Sequence, residues 1–304
     1  MQTTITINPI KSSIGSITTL TANITDENGD KVTGGKAVFK VNGITLKDKN
    51  NNVIYARVNN GQASINYKVQ DVWIKDTSYI EAVYSGTNNY TEARTKSTDI
   101  LDISQGIATI TLDKQTITAK AGQTITFRAK IVDAAGDNIN KGKVVFKLNG
   151  KTLKDTNGET IYAQVKDRKA VMDYTIPGIY SAKTYTLTAV YGGGNYQRAE
   201  TNGTLKLERK AVTINTDTII TTNAKTTIKA KIRDETGKLL ITNTKLAIKI
   251  NQKTILNNIT STNGLIDVSF MTTLRPGTYE LMIISGENSI YKKGTLNTVL
   301  KITE

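Results

Sequence analysis

The stretch that decides the fold reads Val144-Val145-Phe146-Lys147-Leu148-Asn149-Gly150. Val144, Phe146 and Leu148 fall on one side of an extended chain, and the stretch ends in an Asn-Gly pair. Apolar residues at every second position are typical of a β-strand with one buried face. Asn and Gly tolerate the positive φ angles that a tight reversal needs, so the stretch predicts a strand that ends in a hairpin turn.

Similar runs lie on both sides of this stretch and are separated by turns rich in Gly, Asn and Asp. The predicted strands are 108–112, 123–133, 143–149, 160–165, 169–176, 184–191 and 202–208. No window in this part of the sequence has helical periodicity. Several short strands in about 100 residues favour an antiparallel β-sandwich of immunoglobulin type. A closed barrel is the alternative.

The same pattern occurs three times along the chain. Phe146–Gly150 matches Phe39–Gly43 and, in degenerate form, Ile248–Gln252. Two further motifs repeat in the same order: Asp26–Gly29, Asp133–Gly136 and Asp234–Gly237, followed by Ala82–Gly86, Ala189–Gly193 and Met282–Gly286. Internal repetition of this length indicates tandem domains. We therefore predict an all-β chain of three tandem immunoglobulin-like antiparallel β-sandwiches, at 1–105, 106–209 and 210–304.

The motifs of the second copy, Asp133–Gly136, Val144–Gly150 and Tyr185–Tyr196, resemble prokaryotic Ig-like domain repeats. They are most similar to the repeats of adhesin-like cell-surface proteins of methanogenic archaea. The resemblance covers essentially the whole chain, although the third copy has Ile248 and Ile284 where the others have Phe and Tyr. It implies a stalk or spacer of a surface-anchored protein, with a role in cell adhesion, and an unidentified partner: a surface ligand or glycan of a host, of other cells or of the cell wall. The alternative function is a carbohydrate- or cell-wall-polymer-binding module.

The composition argues against catalysis. The chain has 304 residues with no Cys and no His, so it has no thiol nucleophile, no imidazole base and none of the usual ligands of zinc or haem. Only carboxylates, Lys and Tyr remain as proton-transfer groups, and the strands contain no paired acidic motif. We therefore expect that the protein is not an enzyme and needs no cofactor and no metal.

The charge is strongly positive, with 40 Lys and Arg against 26 Asp and Glu and a net charge of +14. Basic residues recur through all three copies without forming a long basic run, so we expect solvated strand faces and no nucleic-acid partner. No apolar run is long enough to cross a membrane. The N-terminus alternates like a strand and does not resemble a signal peptide. We expect a monomeric, extracellular, cell-surface fragment of a longer secreted and anchored protein.

A few residues are candidates for binding or modification. Trp73 and Tyr180 occupy matching places in a long connection and are candidates for stacking on sugar rings, although aromatic residues in such places also pack under their own loop. Four Asn-x-Ser/Thr sequences are candidate N-glycosylation sites: Asn23, Asn89, Asn202 and Asn258. The acidic turns at 26–30 and 155–159 invite comparison with calcium loops, but they lack the EF-hand spacing, and a plain β-turn is the simpler interpretation.

The first two copies differ from the third in two connections. They contain an additional segment, Ile54–Val58 and Ile161–Val165, and a longer connection after it, 67–79 and 174–185, where the third copy has only 270–279. We expect both connections to lie where the chain leaves a domain and to stiffen the junction with the next one. The junctions, Ile103–Ile107 and Leu207–Ala211, are short and contain little Gly or Ser, unlike flexible linkers. The alternative is that these segments are merely variable loops.

Overall fold

In the computed structural model, which describes residues 1–222 and 225–303, β-strands form three successive sandwiches. The described residues contain no α-helix, and one 3-10 turn, Asp71–Trp73, is the only helical element among them. We call the sandwiches domains 1, 2 and 3 and define them by the strands given below. The chain is thus a tandem array of immunoglobulin-like antiparallel β-sandwiches.

Domain 1 contains ten strands: β1 (Thr3–Ile7), β2 (Ile10–Ser13), β3 (Ile17–Asp26), β4 (Lys36–Val41), β5 (Ile44–Thr45), β6 (Ala56–Arg57), β7 (Gln62–Lys68), β8 (Ile80–Tyr84), β9 (Ala93–Ser97) and β10 (Leu101–Ser104). One sheet has the order β1-β3-β7 and the other β5-β4-β8-β9, with β6 also paired to β4. β2 and β10 form a parallel pair, in which Ile10 lies opposite Leu101.

Domain 2 contains nine strands: β11 (Ala108–Leu112), β12 (Thr116–Lys120), β13 (Thr124–Asp133), β14 (Lys143–Leu148), β15 (Lys151–Thr152), β16 (Ala163–Gln164), β17 (Lys169–Thr175), β18 (Thr184–Gly192) and β19 (Ala199–Glu208). One sheet has the order β11-β13-β17 and the other β12-β19-β18-β14-β15, with β16 paired to β14. β12 joins the second sheet by pairing parallel to β19.

Domain 3 contains seven strands: β20 (Val212–Thr222), β21 (Lys225–Asp234), β22 (Lys245–Ile250), β23 (Lys253–Thr260), β24 (Leu265–Met271), β25 (Gly277–Ser285) and β26 (Gly294–Ile302). Its sheets have the orders β20-β21-β24 and β23-β22-β25-β26. The long β20 stays antiparallel to β21, with a register shift between Thr216 and Thr218. In domains 1 and 2, by contrast, the first strand is interrupted, and its second half pairs in parallel with β10 in domain 1 and with β19 in domain 2.

Each domain encloses its own core between its two sheets. Phe39 and Leu20 are fully buried in domain 1, and Ile248 and Ile283 are fully buried in domain 3. In domain 2 the rings of Phe127 and Phe146 stack across the sandwich with centroids 5.2 Å apart. Alternate residues point into these cores, as period-two strands require.

The repeated Asp-x-x-Gly motif forms the same turn in every domain. In each turn the Asp Oδ1 atom accepts hydrogen bonds from the backbone N–H groups two and four residues later; the three residues are Asp26, Asp133 and Asp234. The Gly has a positive φ, +84° at Gly29 for example. The turn therefore needs the acid for its hydrogen bonds and the glycine for its backbone.

The strand predictions for domain 2 hold except at three places, one of which is the two-residue strand β15, which was not predicted. The chain has an additional strand, β12, which the sequence did not indicate because Thr116–Lys120 is mostly exposed and only Ala119 is buried. Its pairing with β19, far away in the sequence, holds it in the sheet. The predicted strand 160–165 is reduced to the two residues of β16.

Candidate functional site

The two junctions between domains combine backbone hydrogen bonds, ion pairs and shared apolar contacts. The connector enters domain 2 at Gly106, whose N–H donates to the carbonyl of Asn195 (2.9 Å) and whose carbonyl accepts from the N–H of Gln197 (2.8 Å). Lys210 makes the same two bonds in domain 3, to Ile290 (2.9 Å) and Lys292 (2.8 Å). Both connectors are thus clamped, through backbone atoms, to a loop of the domain that they enter.

Junction 1 lies between domains 1 and 2 and contains a buried carboxylate. Asp133, at the turn after β13, is 4% exposed, and its Oδ2 atom lies 2.5 Å from Lys68 Nζ at the end of β7. Lys68 Nζ also lies 2.5 Å from Asp137 Oδ2. Burial by itself would lower the pKa of Lys68, but the hydrogen bonds to Asp133 and Asp137 outweigh it and raise the pKa above its usual value. Lys68 of domain 1 therefore pairs with the two carboxylates of the Asp133–Asp137 turn in domain 2.

The 3-10 turn of domain 1 makes a second polar contact across junction 1. Asp71 Oδ2 lies 3.1 Å from Lys141 Nζ in domain 2. The backbone carbonyl of Asp71 accepts a hydrogen bond from Asn195 Nδ2 at 3.3 Å. Asn195 is also the residue whose carbonyl holds Gly106, so it links the connector to the turn.

Tyr196 is the apolar contact of junction 1, because its ring packs against the cores of both domain 1 and domain 2. Burial raises the pKa of Tyr196 to about 12, helped by the nearby charges of Asp71 and Asp133. The connector passes so close to this ring that a Cβ atom added to Gly106 would lie 2.6 Å from Tyr196 Cδ1. At Gly15 (φ +81°), an added Cβ would lie 2.9 Å from the Cβ of Asp133. Close packing across this junction therefore depends on two glycines.

Junction 2, between domains 2 and 3, has the same plan with different donors. Asp234 occupies the place of Asp133 and lies 3.0 Å from Lys210 Nζ, with side chains 4% and 13% exposed. The next residue, Glu235, lies 2.7 Å from Lys120 Nζ at the end of β12. Burial opposes ionisation of both acids, but hydrogen bonds from Thr236 and Lys210 lower the pKa of Asp234, and those from Lys120 and Ala211 lower the pKa of Glu235.

Apolar and backbone contacts complete junction 2. Tyr180, in the long connection of domain 2, packs against the cores of domains 2 and 3, and Ala121 belongs to the domain 3 core although it follows β12. The N–H of Ala182 donates to the carbonyl of Ser289 at 2.6 Å. Arg209 Nε donates to the carbonyl of Asn288 at 2.7 Å. Both junctions thus combine a backbone clamp, buried ion pairs and a tyrosine shared between two cores.

The long connections, 67–79 and 174–185, therefore lie at the junctions, since they supply Lys68, Asp71 and Tyr180. The additional segments lie differently from the expectation. Ala56–Arg57 pairs with Lys36–Ala37 at the beginning of β4, where Ala37 lies opposite Tyr84. Asn42, just past the other end of β4, donates a hydrogen bond to the carbonyl of Val72 in the 3-10 turn at junction 1. The segment therefore lies at the end of β4 that is away from junction 1. Only its beginning, Ile54, borders the groove of about 560 Å³ between domains 1 and 2.

The two aromatic candidates for sugar contact have packing roles. Trp73 is 2% exposed, and its ring stacks on Tyr67 with centroids 5.7 Å apart, so it does not present a ring face to solvent. Tyr180 is half-buried and stacks on Tyr185 at 5.6 Å. Trp73 thus fits the alternative of packing under its own loop, whereas sugar contact by Tyr180 stays a prediction.

The candidate modification and calcium sites lie in ordinary strand and turn positions. Asn89, Asn202 and Asn258 are exposed, whereas Asn23 is half-buried and exchanges hydrogen bonds with Asn8 and Gln62. The Oδ1 atom of Asp155 accepts two backbone N–H bonds, as that of Asp26 does. Within residues 1–222 and 225–303, no group of three or more acidic side chains is placed to hold a metal ion. N-glycosylation stays a prediction at all four sites.

Comparison with known proteins adds little beyond the fold. No family model matches the sequence, and no curated protein is similar to it. Among solved structures, the chain is similar to invasin, a bacterial integrin-binding protein (13% identity, 99% of this chain and 60% of that chain, TM-score 0.48). It is also similar to a tetra-tandem repeat from the extending region of a large adhesion protein (14%, 99% and 74%, 0.40) and to the Escherichia coli adhesin FdeC (16%, 97% and 96%, 0.31).

No helix in the described residues has the length and the apolar character to cross a membrane. The archaeal resemblance stays a prediction, as do the domain boundaries at 105/106 and 209/210. The last strand of domain 1 ends at Ser104 and the first strand of domain 2 begins at Ala108, while β19 ends at Glu208 and β20 begins at Val212.

Proposed function

We propose that this chain is a non-catalytic stalk or spacer segment of a surface-anchored, adhesin-like protein. In this proposal the segment is extracellular and monomeric, and it holds more distal parts of the protein away from the surface. One observation carries the proposal: both junctions are fixed by the same combination of backbone clamp, ion pair and shared tyrosine. A spacer needs defined junctions, because freely hinged domains would fold back and shorten the reach.

The contacts suit this function because they resist both bending and twisting. The clamps at Gly106 and Lys210 hold the connectors, while Lys68 and Lys120 tie the preceding domain to an acid on the following domain. Tyr196 and Tyr180 fill the space between successive cores. A change of angle at either junction would expose a tyrosine ring and separate charges, Lys68 from Asp133 (2.5 Å) or Lys120 from Glu235 (2.7 Å).

Small-angle X-ray scattering of the full chain tests the proposal. We expect the profile to fit one extended arrangement of three domains, each about 30–40 Å long from the rise of its strands. A variant with Lys68→Met and Tyr196→Ala should lose this single arrangement, whereas Lys130→Met, an exposed lysine of β13, is the matched control. A profile that only a broad ensemble of hinged domains can fit, for the unaltered chain, would contradict the proposal.

A further inference from the structure

Six outward side chains of the second sheet are identical in domains 1 and 2. In domain 1 these are Lys36, Val38, Lys40, Thr45, Tyr55 and Val83. At the equivalent positions domain 2 has Lys143, Val145, Lys147, Thr152, Tyr162 and Val190. Every pair is identical, although none of these residues belongs to a core cluster.

Many other outward positions differ between the two domains. Ala22 lies opposite Ala63 in domain 1, and Ala129 lies opposite Ala170 in domain 2. These matching pairs show which residues of the first sheet are equivalent in the two domains. Outward positions beside these pairs have changed: Thr21 corresponds to Arg128, Asn23 to Lys130 and Ser64 to Val171. Outward residues of this fold are thus free to differ between copies. Other outward positions of the second sheet differ too, since Glu81 corresponds to Thr188 and Arg94 to Glu200, so the identity is limited to a part of the sheet that includes the six positions named above.

In domain 1 the repeated face forms a shallow groove that is open to solvent. Its volume is about 340 Å³, Val38 and Val83 lie opposite each other on its floor, and Tyr55 stands at its edge. Tyr55 is 53% exposed, and Lys36 Nζ lies 4.0 Å from the centre of its ring. In domain 2 the equivalent tyrosine is 48% exposed and its lysine lies at 3.8 Å. The same aromatic and cationic pair is thus presented twice.

The lining of the groove selects for a ligand that is both apolar on one face and negatively charged. The valine floor and the tyrosine ring offer a surface for the C–H face of a sugar ring. Lys36 and Lys40 supply two ammonium groups, and among the described residues no carboxylate lines the groove. Glu81, which lies opposite Lys40 in the register, is paired with Arg94 at 3.9 Å.

We propose that the groove of domain 1 and the equivalent face of domain 2 bind an acidic polysaccharide, each contacting a different part of the same polymer. Two similar sites suit a polymer of repeating units, because binding at one site holds the polymer near the other. The overall affinity then exceeds that of either site alone. This binding role is additional to the spacer function and does not depend on stiff junctions.

Domain 3 provides an internal contrast. Lys245 of domain 3 is equivalent to Lys36 and Lys143. It lies opposite Thr260 of β23, which stands where domains 1 and 2 have the segments with Tyr55 and Tyr162. Lys245 Nζ lies 3.1 Å from Thr260 Oγ1. The strand β23 replaces the additional segment, so the aromatic edge of the groove is absent from this part of the structure. Domain 3 should therefore contribute no site of this kind.

Titration of the full chain with polygalacturonate, dextran sulfate and neutral dextran tests the proposal at physiological ionic strength. The two groove variants are Tyr55→Ala with Tyr162→Ala, and Lys36→Gln with Lys143→Gln. The control is Lys130→Gln with Lys169→Gln, an exposed cross-strand pair on the other sheet of domain 2 that removes the same charge. We expect each groove variant to weaken binding of an acidic polymer about tenfold, and the control to change it less than about twofold.

The two acidic polymers distinguish the group that the lysines recognise: binding of polygalacturonate indicates a uronic acid, and binding of dextran sulfate alone indicates a sulfated sugar. The proposal is overturned if neither polymer binds, if neutral dextran competes equally well, or if the control loses as much affinity as the groove variants. Should the tyrosine variant fail to fold, as judged by its melting curve, the lysine variant decides the question by itself. A flexible chain that still binds would refute the spacer function and leave this inference intact.

Discussion

Substitution of Lys210 measures how much a buried ion pair at junction 2 contributes to the stability of domain 3, compared with an exposed ion pair of the same domain. In the Lys210→Met variant, Asp234 loses its partner at 3.0 Å while its own side chain stays 4% exposed. Breaking a fully buried pair costs about 3–5 kcal/mol, and breaking an exposed pair about 0–1 kcal/mol. Asp234 Oδ1 keeps its bonds from Thr236 and Lys238, so we expect an intermediate loss of about 2 kcal/mol in the stability of domain 3.

Hydrogen exchange followed by mass spectrometry measures this loss locally, on peptides from β21 and β24. A loss of about 2 kcal/mol raises the exchange rate of globally protected amides about thirtyfold, since 1.4 kcal/mol is a factor of ten. The matched control is Lys229→Met, which removes the same side chain from the exposed pair Lys229–Asp267 of the same domain (3.5 Å, 59% and 65% exposed). Equal effects of the two variants would refute the reasoning, because burial would then contribute nothing to the junction.

Three further predictions concern the junctions and the loop of domain 1. Tyr196→Ala should destabilise domains 1 and 2 together by about 2 kcal/mol, because a half-buried ring leaves both cores; denaturation that affects one domain alone would contradict this. Trp73→Ala should destabilise domain 1 by about 3 kcal/mol, measured by circular dichroism during urea unfolding, and should leave binding of any polysaccharide unchanged. Acid should loosen junction 2: because the pKa values of Asp234 and Glu235 are lowered, their stabilisation is present above the unfolded values of about 4 and is lost as the pH falls through the folded values. Scattering curves recorded from pH 7 to pH 3 check this, and a junction 2 that loosens only above neutral pH would show the sign to be wrong.

The fold could be read from the sequence because burial in a sandwich follows local alternation. Val144, Phe146 and Leu148 are buried as their spacing indicated, and the Asn149–Gly150 turn has both φ angles positive. β12 was missed for the opposite reason: it is a mostly exposed strand whose place depends on pairing with β19. The continuous β20 of domain 3 also depends on long-range pairing. Pro9 marks the interruption in domain 1, but the first strand of domain 2 is interrupted at 113–115 without a proline.

Short connectors at 103–107 and 207–211 could be proposed from the sequence, but the contacts across them could not. Asp133 begins the repeated motif Asp133–Gly136, and Tyr196 ends the motif Tyr185–Tyr196. Neither motif indicates which domain supplies the residue that binds the Asp or packs on the Tyr. Lys68 illustrates the difficulty, since its equivalent in domain 2 is Thr175 and the corresponding acid of junction 2 is bound by Lys210 instead. Contacts between domains depend on surfaces that become neighbours only after each domain has folded. Short connectors with little Gly or Ser were the one signal of stiffness that the sequence contained.

The width of the distance distribution across each junction is the most direct measure of the central claim. The chain has no native cysteine, so spin labels can be attached at Ser64→Cys with Val171→Cys for junction 1, and at Val171→Cys with Val299→Cys for junction 2, all exposed strand positions. Pulsed electron paramagnetic resonance should give one narrow distance for each pair, and the distribution should broaden when Lys68→Met with Tyr196→Ala, or Lys210→Met, is added at the matching junction. Broad distributions in the parent chain, unchanged by these substitutions, would show that the junctions are flexible and that the chain is not a defined spacer.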